Sequence, residues 1–168
     1  MTVRHGENAV TNEKEVVMLK SIRTLCLALV SSVVALVAVA GPTKQDAQSL
    51  VEEAAQFAAK SGKDGLIAEV NKKDGAFNKG ELYVFVYDLK GTLVADPVNP
   101  NLVGQNNLAK PDAEGKLFRK EFVEVATQKG SGWVEYKYNN PVSGKVEPKA
   151  SFVKKQGDII IIAGVYLK

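Results

Sequence analysis

A chain of 168 residues with 22 Lys and Arg against 19 Asp and Glu, one His and one Cys has the length of one domain. Its 45% hydrophobic and 24% charged residues mark ordinary globular composition, not disorder or a fibre. The net charge of +3 comes from basic residues scattered among acids, which argues against a nucleic-acid partner.

The first forty residues read as an address. From Met18 the chain has a basic start at Lys20 and Arg23, an uncharged apolar run from Thr24 to Ala40, and a small-x-small end at Ala38-Val39-Ala40. These are the parts of a secretory signal peptide, with cleavage expected after Ala40. The run of 17 residues is shorter than the roughly 20 of a spanning helix, so membrane attachment is expected only if the segment is retained. Glu7, Glu13 and Glu15 precede it, which makes Met18 the expected start and residues 1–40 an N-terminal extension plus signal. Residues 41–168 are then one periplasmic or secreted domain. His5 and Cys26 both fall in the address, so this domain has neither residue type. That excludes His-based triads, thiol nucleophiles, haem ligation through His and Cys/His zinc sites; no cofactor or metal is expected. Without disulfides, stability must come from the core.

Thr43 and Asp46 form a capping-box pattern, followed by an apolar helical stripe at Leu50, Val51, Ala54, Phe57 and Ala58 that stops at Ser61-Gly62. A shorter helix with Leu66, Ile67 and Val70 closes at Lys73-Asp74-Gly75. From Gly80 the period becomes alternating. Leu82 to Asp88 is a strand with Tyr83, Phe85 and Tyr87 on one face and Leu82, Val84 and Val86 on the other, so both faces are expected to be covered. Asp88 to Gly91 is a turn, and Thr92 to Ala95 is the returning strand of a hairpin. Pro97 and Pro100 forbid regular structure in the loop Asp96 to Gly104 and fix its path. Leu117, Phe118, Phe122, Val125 and Ala126 mark a second amphipathic helix, ended by Lys129-Gly130. Strands at Trp133–Tyr138, about Val146–Lys154 and Asp158–Leu167 finish the chain, the last two joined by a turn at Gln156-Gly157-Asp158. Connections this short require a mostly antiparallel sheet. The class is therefore α+β, with a long N-terminal helix packed on a sheet.

Three stretches together carry a resemblance: Tyr83 to Gly91, Ala95 to Gly104, and Trp133 to Tyr136 with Pro148 to Val153 and Ala163 to Tyr166. In order and spacing they resemble the single-Cache extracytoplasmic sensor domain, from about Thr43 to the C-terminus. The resemblance implies a PAS-like fold with five or six antiparallel strands around a pocket for small ligands, often short carboxylates. It also implies a Lys facing that pocket, at Lys149, and includes Tyr136. In one respect the chain departs from the family pattern. Asp96 stands where His commonly precedes the loop Pro, so an imidazole contact to ligand is lost, and an acid there repels anions or favours a cation.

The candidate ligand-binding residues are Lys149, Tyr136, Tyr83, Tyr87, Asp96 and Ser151. A buried ammonium at Lys149 wants an anion. The hydroxyls of Tyr83, Tyr87 and Tyr136 would orient a carboxylate, Ser151 shares the parity of Lys149, and Asp96 with Asn99 stands at the mouth. Trp133 lies on the other side of its strand from Tyr136 and is not expected in the same cavity. The acids lie on helix surfaces, in turns or beside lysines, and no phosphate loop, zinc helix or nucleophile motif is present, so no enzymatic activity is expected. With the chain ending at Lys168, direct transmembrane signalling is not expected; the domain would act through an envelope signalling partner or as a homodimer. The competing reading is an interaction module with a filled core and no ligand, docking through its helix or a sheet edge.

Overall fold

In the computed structural model, which describes residues 41–167, helix α1 (Lys44–Val70) begins at a reciprocal capping box. The Thr43 hydroxyl accepts from the Asp46 amide at 3.2 Å, and the Asp46 carboxylate accepts from the Thr43 amide at 2.8 Å. At Gly62 the helix breaks, with φ 75° and ψ 172°, a conformation open to glycine at little cost. The stop expected at Ser61-Gly62 is thus a kink, beyond which Leu66 and Val70 return to the core. The expected signal peptide and its cleavage point lie outside the described residues. Among those described, no helix is long and apolar enough to cross a membrane.

Six strands follow: β1 (Asn78–Lys79), β2 (Leu82–Asp88), β3 (Leu93–Ala95), β4 (Ser131–Asn139), β5 (Val146–Gln156) and β6 (Ile159–Tyr166). All pairs are antiparallel, in the order β1-β2-β6-β5-β4, and β3 pairs with the far end of β2. Ile159 to Ile162 in the interior strand β6 are buried on both faces, which is why that run does not alternate. The two-residue β1 was not foreseen, because two residues carry no period. The loop after β3 was expected to be irregular, yet Pro100–Leu102 form one 3₁₀ turn: Pro100 opens it, where its missing N–H and fixed φ cost nothing.

The two faces of the sheet differ in kind. On one, α1 buries Ala47, Leu50, Val51, Ala54, Ala55 and Ala58 against Val84, Val86, Ile161 and Ala163, and four alanines on the helix allow it to approach the sheet closely. Trp133 belongs to this face, beside Phe152. On the other, helix α2 (Phe118–Lys129) lays Phe118, Phe122, Val125 and Ala126 over Tyr83, Phe85, Tyr87 and Tyr136. Leu117, counted into this helical stripe, instead precedes the first turn and is exposed. The segment leading into α2 also guards the edge of β4. The Asp112 carboxylate accepts from the Lys137 amide at 2.8 Å, and the Lys116 ammonium donates to the Glu135 carbonyl at 2.5 Å. An edge so occupied is a poor template for another strand.

Phe122 is the keystone of the aromatic face, with ring centroids 5.4–6.3 Å from Tyr136, Phe118, Phe85 and Tyr87. Phe122→Ala is expected to lower the unfolding free energy by about 3–5 kcal/mol in chemical denaturation. A loss below about 1 kcal/mol would mean that α2 does not pack on the sheet as described.

Candidate functional site

The site follows from strand parity. Lys149 on β5 points to the α2 face, with Tyr136 of β4 and Tyr166 of β6 as its cross-strand partners. One row further along, Ser151 lies opposite Gly164, and a Cβ at Gly164 would collide with the Ser151 hydroxyl. Glycine at 164 therefore leaves the space in which Ser151 reaches Tyr136, Oγ to hydroxyl 2.9 Å, a bond buried in the sheet. Tyr136 in turn stacks flat on Phe118, centroids 4.1 Å apart and planes 4° from parallel, which fixes the start of α2 over the sheet.

Between α2, the loop after β3 and the sheet lies a small chamber. Tyr83, Phe85, Tyr87, Tyr136, Tyr138 and Lys149 come to it from the sheet, and Asp96, Asn99, Leu102, Phe118 and Arg119 close it. Five of the six candidates thus line one cavity. Ser151 does not; its hydroxyl stands one step behind the wall, on Tyr136. The cavity volume is about 20 Å³, room for about one water molecule.

Lys149 is 1% exposed. Its ammonium is 3.4 Å from the Tyr83 hydroxyl and sits 4.8–5.8 Å from the ring centroids of Tyr166, Tyr83, Tyr138 and Phe85. Aromatic faces favour a cation, yet among the ion pairs of the described residues none involves Lys149. Burial pushes its pKa down to about 8, opposed by the charge of Asp96. Asp96, itself buried, is engaged in shaping the loop. Its Oδ1 accepts from the amides of Val98 and Asn99 at 2.9 and 2.8 Å, and its Oδ2 from the Asn99 side chain at 3.2 Å. Burial also raises the pKa of Tyr83, Tyr136, Tyr87 and Tyr138, so these phenols remain protonated donors near neutrality.

A second cation escaped the reading of the sequence. Arg119 is 7% exposed, its guanidinium lies 4.2 Å over the Phe118 ring, and it donates to the Lys110 carbonyl at 3.2 Å. Hydrogen bonding and charge from Arg119 hold the Tyr87 and Tyr138 phenols below where burial alone would put them. The signal was there: Arg119 stands three residues before Phe122 and seven before Ala126, inside the apolar stripe. Among the described residues no group of three or more His, Cys, Asp or Glu could hold a metal ion.

An unpaired buried ammonium makes a signed prediction about stability. Because the folded pKa of Lys149 is below the unfolded value of 10.5, the unfolded chain binds more protons between about pH 8 and 10.5, and stability rises with pH across that window. Below pH 8 the destabilisation is complete. Lys149→Met is therefore expected to stabilise the ligand-free protein at pH 7, on the order of 3 kcal/mol, with the gap to wild type closing toward pH 10. Melting curves at several pH values check this; a gap independent of pH, or a destabilised variant, would contradict it.

Comparison with known proteins places this geometry in context. The family model for Single Cache domain 2 matches residues 10–168. The methyl-accepting chemotaxis protein McpP of Pseudomonas putida is 31% identical over 87 residues, which are 51% of this chain and 16% of that receptor. The chain thus spans a small part of the curated relative's length. The periplasmic sensor domain of a chemotaxis protein superposes with a TM-score of 0.60 at 28% identity, covering 90% of this chain and 99% of that one. A methyl-accepting chemotaxis protein from Vibrio parahaemolyticus (TM-score 0.63, 14% identity, 89% and 95% covered) shares the fold. So does a Cache chemosensory domain known for carboxylic acid recognition (0.58, 20%, 94% and 100%). With a helix-backed antiparallel sheet, a chamber on its aromatic face and a family match over nearly its whole length, the chain belongs to the Single Cache domain 2 family.

Proposed function

We propose that the protein is an extracytoplasmic sensor domain that binds a small monocarboxylate in the chamber, with the carboxylate held by Lys149 and Arg119, and passes its ligand state to a partner protein. The observation that carries this reading is the pair of buried cations in one aromatic-walled chamber, neither of them in an ion pair among the described residues. Lys149 and Arg119 against Asp96 leave one net positive charge, which matches a monoanion. The tyrosine hydroxyls supply neutral donors for the second oxygen or for an α-substituent. A charge-assisted hydrogen bond contributes about 1.5–3 kcal/mol, and two such contacts offset much of the burial of both partners. Support comes also from the related Cache chemosensory domain that recognises carboxylic acids, and from the sensor domains of chemotaxis receptors among the relatives. The segment before residue 41 would direct export, which sets the domain in the periplasm or outside the cell.

A ligand enters only if the walls move, since the cavity of about 20 Å³ holds no more than a water. The loop bearing Asn99 and Leu102 lies outside the strands and is tied only at its flanks, where the Asp96 amide donates to Asn71 and the Gly104 amide to the Leu93 carbonyl, and it is the wall that would swing out. The small volume favours the competing reading, a filled interaction module. Against that reading, the β4 edge is already engaged by Asp112 and Lys116, and a filled core has no use for an unpaired ammonium.

Acetate, propionate, lactate, pyruvate and amino acids, screened by thermal shift and calorimetry, separate the two. Ligands of four to six heavy atoms reach at most about −6 to −9 kcal/mol, which caps their affinity at tens of micromolar to slightly below micromolar. At least one monocarboxylate is expected to raise the melting temperature, and Lys149→Met to abolish its binding. Affinity is expected to fall as pH rises through about 8, approaching tenfold per unit, because the anion needs the protonated amine. If no compound stabilises the domain, or if Lys149→Met binds as wild type does, the assignment fails.

A further inference from the structure

We infer that the ligand-binding surface does not end at the chamber: an adjoining groove is the tail site of an amphipathic monocarboxylate, an acid with an aliphatic or aromatic tail of about four to eight carbons. This rests on the reading of the chamber as a carboxylate site and extends it to the ligand class. Outside the chamber lies a depression of about 350 Å³, against about 20 Å³ within. The two share Tyr83, Asn99, Leu102, Phe118, Arg119 and Tyr138 as walls.

The polarity of the groove is graded. At its inner end stands the buried Arg119 guanidinium, with Lys149 beyond it in the chamber. Further out Val98, Pro111, Ala113, Pro141 and Val146 supply apolar surface, interrupted by Lys110, Asp112, Lys137 and Asn139. Of the three charged groups on that outer stretch, Lys110, Asp112 and Lys137, the last two are already engaged. Lys137 pairs with Glu114 at 3.5 Å, and the Asp112 carboxylate accepts backbone amides of Glu114, Lys116 and Lys137. Val146 is 56% exposed at the start of β5. An apolar side chain so exposed beside two prolines gains by being covered. A molecule with a carboxylate at Arg119 and hydrocarbon along Val98, Leu102 and Val146 meets both demands. It also removes a difficulty of volume, because only the head group needs to displace the partition while the tail occupies space that is already open.

The test is a titration series on the full chain at pH 7 with acetate, butyrate, hexanoate, phenylacetate and the uncharged control hexanol, in wild type and Val146→Asp. Affinity is expected to rise from acetate to hexanoate by about fourfold for each methylene that the groove covers. Phenylacetate is expected to gain likewise, and hexanol to bind at least a hundredfold more weakly than hexanoate. Val146→Asp, an exposed substitution outside the chamber, is expected to weaken hexanoate at least tenfold and to leave acetate within twofold. Affinity that is flat or falls from acetate to hexanoate would overturn the tail site and leave the chamber reading intact. Loss of acetate and hexanoate alike in Val146→Asp would also overturn it. Absence of binding by every acid overturns both readings together.

Discussion

A lysine ammonium held in the interior of a protein without a carboxylate beside it is the constraint to which the rest of this structure answers. Lys149 is almost fully buried, its nearest hydrogen-bond partner is a phenol at 3.4 Å, and four aromatic rings stand round it. Burial of a charge on these terms is costly. The ring faces recover part of it, since a desolvated cation gains about 2 kcal/mol from such a contact. Asp96 acts at longer range, its own hydrogen-bonding capacity spent on the loop. The remainder is an unsatisfied demand for negative charge, and an anion that enters the chamber meets it.

The sheet divides the labour between its faces. On the α1 side the contacts are apolar, mostly aliphatic with Phe57, Phe77, Trp133 and Phe152 among them, which supplies stability in a domain without disulfides among the residues from 41 on. The α2 side is built of rings and hydroxyls, with two cations and an acid between them. Gly164, Ser151, Tyr136 and Phe118 form a chain of contacts across that side, each fixing the next, and the chain ends at Arg119 on the first turn of α2. The position of the second cation is thus set by packing in the sheet several residues away. The loop with the 3₁₀ turn closes the chamber from the remaining side; it is shaped by short-range bonds to the Asp96 carboxylate and anchored at its flanks to Asn71 and Leu93.

Much of this was legible in the sequence, for identifiable reasons. The alternation of Leu82 to Tyr87 placed the aromatic and aliphatic sets on opposite faces, because strand parity admits no other arrangement. Thr43 with Asp46 and Gly130 marked helix boundaries, and Gly62 the kink within α1, through local chemistry that the tertiary fold did not override. The resemblance directed attention to Lys149, and the same parity carried Ser151 to its face of β5. What parity leaves open is whether a hydroxyl opens into a cavity or bonds to a neighbour: Ser151 is engaged by Tyr136, a partner fixed by the β4–β5 register and not by the residues next to it. Arg119 was passed over because a charged residue on a helix is ordinarily assigned to solvent, although its spacing from Phe122 and Ala126 placed it inward. The two-residue β1 and the volume of the chamber arise from tertiary packing alone, and neither has a local signature.

The central claim concerns the protonation of one amine, and it can be observed directly. Carbon-13 labelling of the lysines and titration of the Lys149 Cε resonance, free and with saturating carboxylate, measures that pKa in both states. The account predicts a midpoint near 8 in the free protein and a rise of at least one unit with ligand. A midpoint at the ordinary lysine value in the free protein, unmoved by any carboxylate, would mean that the amine is already satisfied and that the chamber has no call for an anion.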